Sequence, residues 1–242
     1  MPHAGHQRED RLKIAYPFIA LVSLVAIACG RAATTASPTP VPTATPTQTA
    51  TATAAPTAAV GSATWTVSNT SKVTVKVREQ LVGVNLPSDA VLAATGGTGS
   101  FTVNPDGSFS ADSKVTFELS TLSSDQRDRD NFVKQDTLQV RQFPTAAFVP
   151  THATGLVLPI TANSELKFTL AGKMTIHGVT KDVTFDVVAT REGTQLKATA
   201  TATPTWKFGD FGMRAPAVPF RVVSVNDEIR VVVELVATGA GA

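Results

Sequence analysis

The densest run of ionisable side chains is Asp125-Gln126-Arg127-Asp128-Arg129-Asp130. Three carboxylates bracketing two guanidiniums could supply a general acid and a general base, if two of them faced one substrate from different environments. The same spacing has a plainer use. Asp125 and Arg129 stand four apart, as do Arg127 and Asn131, so on a helix the polar face would neutralise itself. The plainer use is favoured, and no catalytic role is assigned here. His152 and His177 lie far apart, with no cysteine or paired histidine at zinc-ligand spacing. His177-Gly178 falls between two alternating runs and reads as a tight turn, with His177 as a turn residue rather than a base. Asp210-Phe211-Gly212 spells the kinase triplet without the glycine-rich loop, strand lysine or catalytic loop that give it meaning. Gly96-Gly97-Thr98-Gly99 lacks the lysine and helix of a phosphate loop, and no Gly-x-Ser-x-Gly elbow occurs. The chain reads as a binding protein, not an enzyme, and calls for no metal or cofactor.

The most informative single side chain is Cys29, the one cysteine among 242 residues. Arg11 and Lys13 precede an apolar run from Ile14 to Ala28, too short to span a bilayer comfortably and suited to a signal-peptide core. Ala26-Ile27-Ala28-Cys29-Gly30 resembles a bacterial lipobox, whose cysteine is acylated and becomes the mature N-terminus. The expectation is a lipoprotein signal peptide at 1–28 and lipidation at Cys29. That would place an exported chain on the outer face of the cell membrane or in the cell envelope. Acylation would also consume the only thiol, which removes cysteine nucleophile chemistry.

From Arg31 to about Ser62 the chain is almost entirely Ala, Thr, Pro, Ser and Val, with too little apolar bulk to offset chain entropy. Residues 29–62 therefore read as a lipidated cysteine plus a Thr/Pro/Ala-rich linker. Its prolines favour polyproline II at about 3.1 Å per residue, a stalk of up to roughly 90 Å. The net charge of +2 comes from the leader. Four of the 21 basic and two of the 19 acidic residues precede Thr64, which leaves 17 of each beyond it. A neutral domain with no basic stripe argues against nucleic acid as a partner.

The remainder, 63–239, alternates. Val73, Val75 and Val77 interleave with Lys72, Thr74 and Lys76; Val115, Phe117 and Leu119 follow the same rhythm. Leu166, Phe168, Leu170, Met174 and Ile176 share one parity before the His177-Gly178 turn, and Val179, Val183, Phe185 and Val187 resume it afterwards. Period two puts one face in an apolar interior and the other in water. Asp106-Gly107 marks a hairpin, and Ala198, Ala200 and Ala202 form a run of small inward residues. Leu81 to Gly97 shows no sustained period. Ser123 to Gln142 breaks the strand rhythm and predicts one helix, with a capping box from Ser123 to Gln126 and an end before Phe143-Pro144. The pattern predicts an all-β domain, a single antiparallel β-barrel of about eight strands with one helical insertion. A barrel of that size is either filled by its own side chains or holds one small ligand.

Three segments resemble the YceI-like family. They are, along the chain, Asp125, Arg127, Asp130 and Phe132 with Phe143-Pro144-Thr145-Ala146-Ala147-Phe148, then Gly172-Lys173-Met174-Thr175-Ile176-His177-Gly178-Val179-Thr180-Lys181-Asp182-Val183-Thr184-Phe185-Asp186-Val187, then Gly209 to Pro219 with Ser224 to Ile229. The resemblance implies a lipocalin-like barrel in a secreted or periplasmic protein that binds a polyisoprenoid, an isoprenoid quinone or a similar long-chain amphiphile. It implies a helical insertion beside the barrel mouth, and a possible homodimer. On that basis Phe101, Phe117, Phe132, Phe148, Phe168, Met174, Phe185, Phe208 and Phe211 are the candidate ligand contacts. In a filled barrel the same side chains are plain core. The expected function is a membrane-anchored carrier; a solid-cored cell-surface interaction module and a lipid-modifying enzyme are the alternatives.

Overall fold

The computed structural model describes residues 61–218 and 220–239. The leader, Cys29 and almost all of the linker lie outside that range.

Ten strands form one sheet that closes on itself. They are β1 (Ala63–Val67), β2 (Lys72–Leu81), β3 (Ser88–Thr95), β4 (Thr98–Val103), β5 (Lys114–Glu118), β6 (Thr145–Thr154), β7 (Glu165–Ile176), β8 (Val179–Glu192), β9 (Gln195–Ala202) and β10 (Val222–Thr238). All pairings between them are antiparallel. β1 and β2 lie end to end along β10, with Val67 opposite Ala237 and Lys72 opposite Glu234. β3 and β4 lie end to end beside them, with Thr95 opposite Lys72 and Ala63 opposite Val103. Each end-to-end pair is one long bent strand, so ten segments make a ring of eight staves.

The bends have local causes. Ser71 is fully buried at the first corner, where its hydroxyl donates to the Val236 carbonyl at 3.1 Å and accepts from the Val236 amide at 3.0 Å. Those two bonds replace the ladder that β1 and β2 interrupt. At the second corner, a Cβ on Gly97 would stand 2.9 Å from Ser71 Cβ and 3.0 Å from the Phe117 ring. Only glycine lets the two corners nest.

The β7–β8 hairpin has the predicted tight turn, with His177 at φ 52° and Gly178 at φ 74°. Two successive positive φ values are what a two-residue turn needs to match strand twist. Strand β3 falls in a stretch that shows no sequence period. Its inward residues Ala90, Leu92 and Ala94 are buried, but alanine and valine also occupy its outer positions, so polarity does not alternate. Phe148 lies inside β6, which begins at Thr145.

The helical insertion is shorter than its polar run suggests. Helix α1 covers Arg127–Phe132 and passes into a π turn over Val133–Thr137. Ser123 does not cap it. Its amide and carbonyl exchange 2.8 Å hydrogen bonds with Ala93 of β3, which holds Ser123 extended. The N-cap residue is Gln126, with no side-chain cap, and Ser124 turns the chain before it, accepting from the Gln126 amide at 3.1 Å and donating to Asp130 at 2.6 Å. Asp130 also accepts from the Ser124 amide at 2.8 Å, so this buried carboxylate ties the loop to the helix.

Candidate functional site: an apolar chamber with a polar mouth

Inward parity along every stave delivers apolar side chains to a common interior. That interior is hollow, with a cavity of about 540 Å³. The volume is within the usual range for a small-ligand pocket, roughly 300–1,000 Å³. Trp65, Ile160 and Leu196, all buried, border it toward the end where β8 turns into β9. At the other end its border includes the exposed side chains of Asp128, Asn131 and Arg221, which mark the mouth.

All nine aromatic and methionine positions singled out from the sequence border this cavity. Phe117, Met174, Phe185, Phe208 and Phe211 are buried; Phe101, Phe132, Phe148 and Phe168 are half-buried. One wall is an edge-to-face series, with Phe148 on Phe185 at 5.3 Å, Phe185 on Trp206 at 5.8 Å and Trp206 on Phe211 at 5.3 Å. A Cβ on Gly172 would meet the Phe148 ring at 2.4 Å, so the glycine of the second-half hairpin seats this ring. The opposite character belongs to β9, where Ala198 and Ala200 are small, half-exposed and face the cavity. Large residues on one wall and small ones on another leave the space open.

The irregular segment after β9 is held by its own polar contacts. Trp206 exchanges backbone hydrogen bonds with Ile229, and Asp227 accepts from the Phe208 amide at 2.9 Å. Asp210 accepts from the Lys207 amide at 2.8 Å and from Lys181 at 2.5 Å. The Lys181 ammonium and that amide hold its carboxyl below the ordinary aspartate value. Phe208 and Phe211 are thereby fixed toward the cavity, and the triplet around Phe211 is structural.

The mouth carries a polar residue, Glu79, that the sequence reading left out. Glu79 and Arg129 both border the cavity and form an ion pair at 2.6 Å, their side chains only 8% and 14% exposed. Arg129 also meets Asp125 at 2.5 Å, the pairing four residues apart that the sequence suggested. Glu79 stands on the inward parity of Val73, Val75 and Val77. An acid continuing an inward apolar series is the signal that could have announced a buried partner. Across the mouth, Asp128 of α1 and Arg221 pair at 2.6 Å. The carboxylates at 125, 128 and 130 are thus each engaged by a guanidinium or a serine. Two further buried atoms, Trp65 Nε1 and Thr137 Oγ1, belong to cavity-bordering residues and find no hydrogen-bond partner among the described residues. His177 does not reach the cavity border; its ring packs on Phe143 with centroids 4.6 Å apart, and its Nε2 also lacks a partner among the described residues. It is a turn residue.

The family model described as YceI-like domain matches residues 58–237. A UPF0312 protein of Pseudomonas putida strain W619 is 31% identical over 134 residues, a match covering 50% of this chain and 66% of that relative. A UPF0312 protein of Pseudomonas fluorescens strain SBW25 matches at the same identity and coverage. Among solved structures, the fold is similar to that of a polyisoprenoid binding domain from Saccharophagus degradans implicated in plant cell wall breakdown. That likeness has a TM-score of 0.55 at 10% identity, covering 73% of this chain and 98% of the other. It is also similar to BcnA of Burkholderia cenocepacia, with a TM-score of 0.50 at 20% identity over 69% of this chain and 96% of the other. At these identities the two structures establish a shared fold.

Proposed function

The chain belongs to the YceI-like family, and from that premise and its hollow interior we propose that it binds and carries a long-chain amphiphile such as a polyisoprenoid or isoprenoid quinone. The observation that carries this reading is the cavity itself: about 540 Å³ of space walled by aromatic and aliphatic side chains. At about 30 Å³ per water-sized group, that space admits some 18 carbon-sized groups, so a longer chain must extend through the mouth. Each methylene withdrawn from water contributes about 0.8 kcal/mol, which offsets the cost of immobilising a flexible tail. Apolar walls distinguish poorly between tails. Selectivity then belongs to the head group, near Glu79, Arg129 and the unpartnered Thr137 hydroxyl. A solid-cored interaction module is disfavoured by the cavity, and a lipid-modifying enzyme by the engagement of Asp125, Asp128 and Asp130 with Arg129, Arg221 and Ser124.

The same reading makes Cys29 the lipid anchor and the linker a stalk, holding the barrel at the outer face of the membrane. What supports it is the short apolar run that ends in a small-residue motif and a cysteine. Several acyl chains on one residue would hold firmly where a single chain is marginal. The deciding experiment isolates the protein, extracts it with organic solvent and identifies co-purifying lipids by mass spectrometry. Polyprenols, isoprenoid quinones and fatty amides are then added to delipidated protein while melting is followed. A stoichiometric isoprenoid and a rise in Tm with ligand concentration are expected. No bound lipid and no Tm shift across the set would refute the carrier reading. Loss of labelled acyl-chain incorporation in Cys29→Ser tests the anchor separately.

A further inference from the structure

Nine large apolar side chains stand exposed among the described residues, and five of them fall in two short segments. Val82, Val84 and Leu86 occupy the β2–β3 hairpin, at 53%, 46% and 75% exposure; Phe220 and Val223 lead into β10, at 95% and 65%. The two segments are neighbours, since Leu81 pairs with Val222 and the Val82 amide bonds to the Arg221 carbonyl at 3.0 Å. A sixth, Val179, stands in the hairpin at the same end of the barrel. Phe220 has φ 63°, a backbone conformation that bulky side chains avoid, and it spends that strain on full exposure of a phenyl ring.

This crest is continuous with the mouth: Leu81, Val218, Arg221 and Val222 border the cavity. Its own charged residues are basic, with Asp89, Asp210, Asp227 and Glu228 just outside it. From Leu81 to Ser88 and from Phe211 to Asn226 there are two arginines, Arg214 and Arg221, and no acidic residue. Arg214 is exposed without an ion-pair partner among the described residues, as is Arg127 on the adjoining helix. Asp128 of that helix and Asp125 just before it are paired with Arg221 and Arg129.

We infer that this crest is a docking surface for a lipid bilayer, its apolar tips entering the interface and the unpaired Arg214 and Arg127 meeting anionic head groups. Apolar projections flanked by exposed cations fit that boundary. Docking would set the cavity mouth against the lipid phase, so that a tail could pass between bilayer and barrel without crossing water. The inference rests on the carrier reading only for that purpose.

The test uses the full chain, with an environment-sensitive fluorophore on Leu86→Cys, Phe220→Cys or, at the opposite end, the exposed Thr194→Cys. The unsubstituted chain controls for label on Cys29. Each is returned to vesicles of phosphatidylglycerol and phosphatidylcholine, with and without brominated acyl chains. Labels at 86 and 220 should shift to the blue and be quenched by bromine; the label at 194 should do neither. In the Leu86→Ser background, the fraction of the 220 label that is quenched should fall, each such side chain being worth about tenfold or more in partition. Equal quenching at all three positions, or at none, would overturn the inference. So would a blue shift without lipid that grows with protein concentration, since the crest would then be the seat of a second copy. The labels read depth with the cavity empty, so failure of the carrier reading leaves this result intact.

Discussion

Adding bulk to the small-residue wall separates a hollow barrel from a solid one by the sign of its effect. Ala198 and Ala200 face the cavity, between Ala189 and Val187 of β8 on one side and Leu235 and Val233 of β10 on the other. The pair Ala198→Leu and Ala200→Leu adds six carbons. Buried against those walls they contribute about 5 kcal/mol at 0.8 kcal/mol each, an upper bound because the unfolded chain is itself partly collapsed. Lost rotamer freedom removes about 1–2 kcal/mol. Discounting the burial gain by roughly a quarter for that collapse leaves a net of about 2 kcal/mol, which raises Tm by roughly 4–8 °C for a domain of this size. In a filled interior the same six carbons would overpack, costing about 1–3 kcal/mol and lowering Tm. They also take about 180 Å³ from the 540 Å³ available, at 30 Å³ each, so the Tm rise that an added isoprenoid produces should shrink. Differential scanning calorimetry of the delipidated protein with and without ligand reads both effects. A fall in Tm without ligand would refute the hollow interior and the carrier reading together.

Three further outcomes are expected. Arg129→Met alone should cost about 3–5 kcal/mol, because it strands the buried Glu79 carboxylate; adding Glu79→Leu should restore most of that, as read by urea unfolding midpoints. Gly172→Ala should destabilise the fold by about 1–3 kcal/mol, read as a lower urea midpoint, since its Cβ would lie 2.6 Å from the Val149 carbonyl oxygen as well as against the Phe148 ring; an unchanged midpoint would show that the ring is not seated there. The Asp210 carboxyl titrates below its ordinary value of 3.8 in the folded state, so its contribution is complete above about pH 4 and is lost as pH falls through the lower folded value. Asp210→Asn should therefore flatten the acid limb of the stability curve below pH 4, and an unaltered limb would show that the Lys181 contact contributes nothing.

Much of the architecture could be read from parity. The hairpin of β7 and β8, its turn, and the aromatic positions of both strands follow from period two and one glycine. Strand β3 could not, because Val91 and Ala93 on its outer face are as apolar as the inward Ala90, Leu92 and Ala94 and leave little polarity difference to detect. The helix was overdrawn for a tertiary reason: Ser123 is committed to Ala93 across the chain, and a local capping pattern carries no information about that partner. Alternation says which side chains point inward, but not how far away the opposing wall stands, so hollow and filled barrels share one pattern. Glu79 was visible in principle. Its inward parity announced a buried charge, yet the identity of its partner depended on where α1 folds over the mouth.

The last stave has to arrive before the others can form a vessel. β10 pairs with β9 on one side and with β1 and β2 on the other, joining Thr66 to Thr238. A chain halted short of Val222 would hold a sheet with two raw edges and its greasy side turned to water. Synthesis from the N-terminus thus leaves the seam unsewn until the final segment emerges, and contacts of such sequence separation form slowly. Until then the future cargo hold is a liability that something else must shield.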